Sequence, residues 1–117
     1  MSTDNAGQVL FQVKDLLRNS SLRPHESGLL AFQLLVWSHL SAKGKLEADD
    51  RVDTALQYGA SGIVEALNRL ALLEGTLGQA FSDASRRAQF SGDYIVSALM
   101  SAKRLAEGGI FERFSPA

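Results

Sequence analysis

The chain has 117 residues, a formal net charge of −1 at neutral pH, 45% hydrophobic residues and no cysteine. A chain of this length supports one compact domain that buries about two-thirds of its surface on folding. Its apolar fraction is too high, and its net charge too small, for an intrinsically disordered protein. We therefore predict a single domain over residues 1–117 with a hydrophobic core of its own.

The charge balance and the lack of cysteine exclude several classes of protein. Twelve basic against thirteen acidic residues, with a pI of about 6.1, are unlike a free-standing binder of nucleic acid or of membrane surfaces. Without cysteine there are no disulfides, thiolate nucleophiles or Cys-based zinc sites. The polar start Met1-Ser2-Thr3-Asp4-Asn5 does not resemble a secretory signal, and the apolar stretch Leu29–Trp37 is shorter than the roughly 20 residues that span a bilayer. We expect a cytoplasmic domain with no membrane partner.

The first predicted helix runs from Gln8 to Arg18. Val9, Val13, Leu16 and Leu17 recur at helical spacing and form one apolar face. The polar sequence that follows, Asn19-Ser20-Ser21, interrupts the pattern. The chain therefore begins with a short amphipathic helix and a break.

A second helix is predicted from Pro24 to Ala42. Proline suits the first helical position because its missing N–H has no partner there, and Glu26 in the first turn suits the helix dipole. Only Gln33 interrupts the apolar run Leu29–Trp37, and a helix that is apolar nearly all round is typical of the central element of a bundle. A buried strand is the competing interpretation, but about 18 residues with few β-branched side chains favour a helix.

The second half of the chain predicts several shorter helices. After Lys43-Gly44-Lys45, a helix is expected over about 48–58 with Gly59 as its stop, and the next is expected to be capped by Ser61 and to end at Gly75. A helical face continues through residues 77–88, although Gly78 and the pair Ser82-Asp83 weaken the pattern. A last helix is expected from near Ser91 to Gly108-Gly109. No alternating run is long enough for a sheet. The predicted fold class is all-α, a compact bundle of five or six helices.

The sequence offers little support for a catalytic site, a metal site or a phosphate-binding loop. His25 and His39 lie on one predicted helix about 21 Å apart, too far to share a metal or a substrate atom. The acidic residues between Glu47 and Asp53 lack the central glycine of a calcium loop and favour a helix start instead. No glycine pair follows a strand or leads into Gly-Lys-Ser/Thr. We predict no catalytic, cofactor or metal site, and that this segment is not an enzyme by itself.

Two pairs of basic residues are candidates for contact with DNA or with another phosphate. They are Arg86 with Arg87, and Lys103 with Arg104. A solvated helix face is the alternative for both pairs, and cations near a helix C-terminus are favoured whatever the function. A third basic group surrounds the end of the first helix and consists of Lys14, Arg18 and Arg23.

Three large apolar residues follow the last predicted helix: Ile110, Phe111 and Phe114. After a clean helix stop they either fold back on the bundle or pack against something beyond this chain, because exposed apolar clusters usually mark contacts. They are our candidates for contact with a partner, including a second copy of the chain in a homo-oligomer.

One segment carries a family resemblance. The sequence Leu16-Leu17-Arg18-Asn19-Ser20-Ser21-Leu22-Arg23-Pro24-His25-Glu26 precedes the apolar helix, which closes with Trp37-Ser38-His39-Leu40-Ser41. This segment resembles the N-terminal helical domain of adenine-specific DNA methyltransferases. The shared features are a short amphipathic helix, a break, a Pro-His-Glu helix start and a long apolar helix ending in Leu-Ser. Within this family, the resemblance is notably to the modification subunit of type I restriction-modification systems, and it covers about a quarter of the chain.

The resemblance implies a role in assembly and in enclosing DNA. Such a domain contacts DNA and the specificity or other subunits of the restriction-modification complex, and it is not catalytic by itself. The family's catalytic domain binds S-adenosylmethionine and holds a flipped adenine with an Asn-Pro-Pro-Tyr-type motif. This sequence contains no such motif, so the resemblance implies that the segment binds no cofactor and is the N-terminal part of a longer S-adenosylmethionine-dependent methyltransferase.

The alternative function is a self-contained, all-helical protein–protein interaction module, such as an oligomeric adaptor or regulator. The size of the chain, its complete core and the lack of a recognisable reactive site favour this hypothesis. An independent DNA-binding regulator is a third hypothesis, which the pI of about 6.1 disfavours.

Overall fold

The computed structural model describes residues 6–109, and α-helices account for most of that range. The helices are α1 (Ala6–Leu16), α2 (Pro24–Ala42), α3 (Val52–Gln57), α4 (Gly59–Ala71), α5 (Gly75–Ala80), α6 (Ala84–Ser91) and α7 (Tyr94–Glu107), with a 3-10 turn at Ala48–Asp50. Five of these helices have eight residues or more, α3 and α5 have six residues each, and the described range contains no strand. The predicted all-α class is confirmed.

Helix α2 is the centre of the bundle. It begins at Pro24 after an extended Arg23 and ends at Ala42, as the sequence predicts. The helix packs against α1, α3, α6 and α7. The indole N–H of the fully buried Trp37 donates to the backbone oxygen of Asp50 at 2.7 Å, so the C-terminal half of α2 also holds the 3-10 turn in place.

The remaining helices form two groups that share one core. Helices α1 and α7 pack on each other and on α2, while α4 packs on α3, α5 and α6. The groups meet where α2 contacts α3 and α6, and where α7 contacts α3, α4 and α6. The largest fully buried side chains are Trp37, Phe81, Leu17, Leu30, Leu34, Ile63, Leu67, Leu70, Ile95 and Leu99. The radius of gyration, 13.2 Å, is the value expected for one compact domain of about this length.

The structure corrects the predicted boundaries between residues 48 and 61. The single helix expected over 48–58 is instead a 3-10 turn and α3, separated by Arg51 in an extended conformation. Gly59 has a φ of +71°, in the left-handed region that glycine adopts easily, and it ends α3 as predicted. The next helix already begins at Gly59, so Ser61 lies inside α4 and its predicted capping role is wrong.

The helical face predicted through residues 77–88 is also divided. A turn separates α5 from α6, and Asp83 within it has a φ of 60°. The last helix begins at Tyr94 rather than near Ser91, because Gly92 adopts a conformation outside the helical region, with φ 60° and ψ −140°. Within residues 6–109 no helix combines the length and apolar character needed to cross a membrane.

Candidate interaction surface on helices α1 and α2

The candidate basic residue Arg86 is exposed, and it is paired with an acidic residue of another helix. Its guanidinium donates to the carboxylate of Glu26 on α2 at 2.8 Å, and the guanidinium carbon Cζ lies 5.9 Å from the centre of the Phe90 ring. The hydrogen bond from Arg86 holds the pKa of Glu26 below its usual value, and the same bond raises the pKa of Arg86. Arg86 therefore joins α6 to the first turn of α2.

Arg87 belongs to a partly buried polar network around Gln33. Its guanidinium donates to the side-chain oxygen of Gln33 at 3.3 Å and to the backbone oxygen of Ser82 at 3.0 Å. The Gln33 amide donates to the backbone oxygens of Ala80 and Ser82, at 3.1 and 2.9 Å. The Arg87 side chain is only 12% exposed, and its Nε lies 3.9 Å from the Glu26 carboxylate. The network fastens the turn between α5 and α6 to α2.

The second basic pair lies elsewhere in the molecule. The ammonium group of Lys103 on α7 is 2.8 Å from the carboxylate of Glu107 and 3.4 Å from that of Asp53 on α3. These contacts, first of all the hydrogen bond to Glu107, raise the pKa of Lys103. Arg104 is exposed and has no ion-pair partner among the residues that the structure describes. The structure therefore does not bring the two candidate pairs together, and acidic side chains already neutralise Arg86 and Lys103.

The other predicted features are placed as follows. The tail residues Ile110, Phe111 and Phe114 lie outside the described residues. His25 is exposed and His39 partly buried, at opposite ends of α2. In the described range no group of three or more His, Asp and Glu side chains is arranged to hold a metal ion.

An exposed apolar surface on α2 was not predicted. Leu29 is 46% exposed and Phe32 53% exposed, with the partly buried Val36 one turn further on. Residues spaced by three and four share one side of a helix, so these three side chains lie together. The sequence predicted burial of α2 on several sides, but the described helices leave this side uncovered. An all-apolar run contains no signal that distinguishes its exposed side from its buried ones.

Helix α1 extends this surface with Phe11, which is 61% exposed. A Cβ at Gly28 would lie 3.9 Å from the Lys14 side chain, and Arg18 lines the same cleft as Pro24, so α1 and α2 run in opposite directions. One turn back along α1 from Lys14 therefore corresponds to one turn forward along α2 from Gly28, so Phe11 lies at about the level of Phe32 along the two helices. We call the surface formed by Phe11, Leu29, Phe32 and Val36 the α1–α2 face.

A cleft of about 270 Å³ continues from this face toward the connection between the two helices. Its lining residues are Phe11, Lys14, Asp15, Arg18, Leu22, Pro24 and Ser27. We call it the α1–α2 cleft. Its walls combine apolar side chains with two basic residues at the end of α1.

Fold and surface together define a class: an all-α domain whose basic residues Arg86 and Lys103 pair with acidic residues of the same chain, and which has an apolar face open to solvent. Comparisons with protein-family models, with curated proteins and with solved structures give no match to this chain. The function is therefore inferred from the residues themselves, and the resemblance of residues 16–41 to methyltransferase domains stays a prediction.

Proposed function

We propose that this domain is a non-catalytic helical interaction module that binds a partner protein through the α1–α2 face. The observation that carries the proposal is that more than half of Phe11 and more than half of Phe32 are exposed, on two helices that pack on each other. Aromatic residues are enriched at the centres of protein interfaces, and clustered exposed apolar groups mark contact sites.

The energetics of the face suit a specific protein contact. Complete burial of a phenylalanine or leucine contributes about 1.5–3 kcal/mol relative to full exposure, so covering the exposed halves of Phe11, Leu29 and Phe32 contributes about 1 kcal/mol each. That sum alone does not offset the cost of association. The partner must therefore match the shape of the face and also engage the polar residues around it.

The second candidate function is the DNA-enclosing domain of an adenine-specific methyltransferase. It is favoured by the order of the first elements, which is the short helix α1, a break and the long helix α2 that starts at Pro24. In this case the α1–α2 face contacts another subunit, and S-adenosylmethionine binds in the catalytic part of the parent protein. Since Arg86 and Lys103 are paired internally, DNA binding by this domain alone is expected to be weak and to vanish near physiological salt. A DNA gel shift at two salt concentrations tests that expectation.

A cytoplasmic location is part of the proposal. A chain without cysteine needs no oxidising compartment, and it loses nothing in a reducing one.

Site-specific photo-crosslinking tests the proposed function. A photoreactive phenylalanine analogue is placed at position 32, and in a matched control at position 58, where Tyr58 is 69% exposed on another element. Both variants are irradiated in cells that make the protein naturally, and the adducts are identified by mass spectrometry. We expect one reproducible partner at position 32 and none at position 58, and binding of that purified partner to fall at least tenfold with Phe32→Gln. Equal labelling at both positions would overturn the proposal.

A further inference from the structure

The α1–α2 cleft has the size of a site for one or two side chains. Its volume of about 270 Å³ lies below the range of about 300–1,000 Å³ that is typical of pockets for small molecules. Phe11, Leu22 and Pro24 supply apolar walls. The cleft therefore suits an apolar side chain from a protein segment better than a cofactor.

The charges around the cleft are unbalanced. Arg18 is paired with Asp15 at 3.0 Å, and Glu26 is occupied by Arg86 at 2.8 Å. Lys14, partly buried, lines the cleft but has no ion-pair partner among residues 6–109. The exposed Arg23, adjacent to Pro24 in the wall, has none in that range either. The cleft wall and the start of α2 next to it therefore carry two positive charges, those of Lys14 and Arg23, that have no ion-pair partner in the described range.

The position of Arg23 is unfavourable for the fold. It occupies the N-cap of α2 without a capping side-chain hydrogen bond, where serine, threonine, aspartate and asparagine are preferred. A cation at this end of a helix also opposes the helix dipole. Lys14, in the last turn of α1, is favoured by the dipole of that helix, but Arg23 has no such local explanation. A ligand carboxylate would use both charges.

We infer that the α1–α2 cleft binds an acidic, amphipathic segment of the partner protein. A carboxylate of that segment lies between Lys14 and Arg23, and a neighbouring apolar side chain enters the cleft against Phe11 and Leu22. The inference rests on the proposed function and narrows it to a partner whose binding segment places Asp or Glu next to large apolar residues.

Three synthetic peptides of twelve residues test the charge preference. They share leucine and phenylalanine at helical spacing, and their flanking residues are glutamate, glutamine or lysine. Each is titrated into the full-length ¹⁵N-labelled chain and followed by NMR. We expect the acidic peptide to bind at least about tenfold more tightly than the basic one, with a difference that narrows as salt rises, and to shift the amide signals of Phe11, Lys14 and Leu22.

Two variants separate binding from folding. Lys14→Glu is expected to weaken binding of the acidic peptide at least fivefold and to strengthen binding of the basic one. Lys45→Glu makes the same charge change on the exposed connection beyond α2 and is expected to alter neither. Arg23→Ser improves the N-cap, so it is expected to raise the unfolding midpoint while weakening binding of the acidic peptide about threefold. Loss of affinity with a gain in stability cannot be attributed to misfolding.

The results that overturn the inference are distinct from failure of the proposed function. Equal binding of the acidic and basic peptides at the cleft rejects the charge preference and leaves the apolar docking face intact. No peptide binding, together with a specific crosslink at position 32, has the same meaning. If vesicles of anionic lipid shift the cleft signals and the acidic peptide does not, the occupant of the cleft is a membrane surface. If the cleft signals shift with protein concentration in the absence of any peptide, the occupant is a second copy of the chain. Absence of both peptide binding and a specific crosslink rejects the proposed function as well.

Discussion

Phe32 and Gln33 are consecutive residues of α2, and their environments are the reverse of what their chemistry suggests. Phe32 is 53% exposed. Gln33 is 6% exposed, and its side chain extends from α2 to the turn that precedes α6. In an amphipathic helix the single polar residue of an apolar run would mark the solvent side. Here that residue faces inward, and the uncovered side of the helix is apolar.

The difference shows which side of α2 serves the fold. Gln33 uses both its amide donor and its oxygen acceptor, so its burial leaves no polar group unpaired and fixes where the turn at residues 80–82 lies. Leu29 and Phe32 make no comparable contribution, because about half of each side chain stays in water. We therefore assign the buried polar side to stability and the exposed apolar side to binding.

The largest effect on stability is expected from Gln33→Leu. This change leaves the backbone oxygen of Ala80 without its side-chain donor, removes one of the two donors to the backbone oxygen of Ser82, and removes one acceptor of Arg87. A buried polar group left unpaired costs about 1–3 kcal/mol, so we expect a loss of about 2–3 kcal/mol in the free energy of unfolding. Urea denaturation measures it, with Phe32→Leu as the neighbouring control, which is expected to change stability by less than about 0.5 kcal/mol. Equal losses in the two variants would erase the distinction between the two sides.

The next effect concerns the ion pair between Glu26 and Arg86. The pKa of Glu26 is lowered from 4.5 in the folded chain by its hydrogen bond with Arg86, so the unfolded chain binds the proton more readily. The stabilisation is therefore fully present above about pH 4.5 and is lost as the pH falls through the lowered folded value.

Comparison with Glu26→Gln tests this pH dependence. The variant is expected to be less stable than the native chain at pH 7, and the gap is expected to close progressively below pH 4.5. Urea titrations at a series of pH values measure it. A gap that stays constant from pH 7 to pH 3 would show that the ion pair contributes nothing.

Ser38 offers a test of whether buried polar groups on α2 stabilise only when paired. Its side chain is buried and its hydroxyl has no hydrogen-bond partner among the described residues, unlike the amide of Gln33. Ser38→Ala removes an unpaired polar group and favours the helix, so we expect a gain of up to about 1 kcal/mol. A loss of stability by thermal unfolding would mean that this hydroxyl is paired after all.

Gly28 gives a smaller effect at the border of the α1–α2 face. A Cβ there would meet only the Lys14 side chain, at an ordinary contact distance of 3.9 Å. Gly28→Ala is expected to stabilise α2 by about 0.5–1 kcal/mol, because alanine loses less backbone entropy in a helix. The matched change Gly78→Ala is expected to destabilise, because its Cβ would overlap the backbone oxygen of Leu73. Melting temperatures that move in the same direction would contradict this packing.

The sequence predicted those parts of the fold that local signals determine. The bounds of α2 follow from Pro24 at its start and from Lys43-Gly44 after its end. The pair Ser82-Asp83 is a local signal of the break between α5 and α6, but Leu77, Phe81 and the alanines around them keep helical spacing across it. The turn is held by Gln33, which lies 47 and 49 positions from the two backbone oxygens that it contacts.

The candidate site also depends on contacts between residues that are far apart in the sequence. Arg86 and Arg87 form an adjacent basic pair in the sequence, but Glu26, the acid that pairs with Arg86, lies 60 positions away and becomes visible only in the folded chain. The exposure of Phe32 also depends on which helices cover α2, and no local pattern encodes that arrangement. Local periodicity identified the helix, and tertiary packing decided which of its sides remained free.

The role of Phe32 in binding is best tested by a change that is expected to have the smallest effect on stability. Phe32→Gln replaces an exposed ring by a polar side chain, and its free energy of unfolding and its affinity for the crosslinked partner are measured on the same sample. We expect stability to change by less than about 0.5 kcal/mol while affinity falls at least tenfold. A loss of more than about 1 kcal/mol in stability, or an unchanged affinity, would contradict the assignment of this side of α2 to binding.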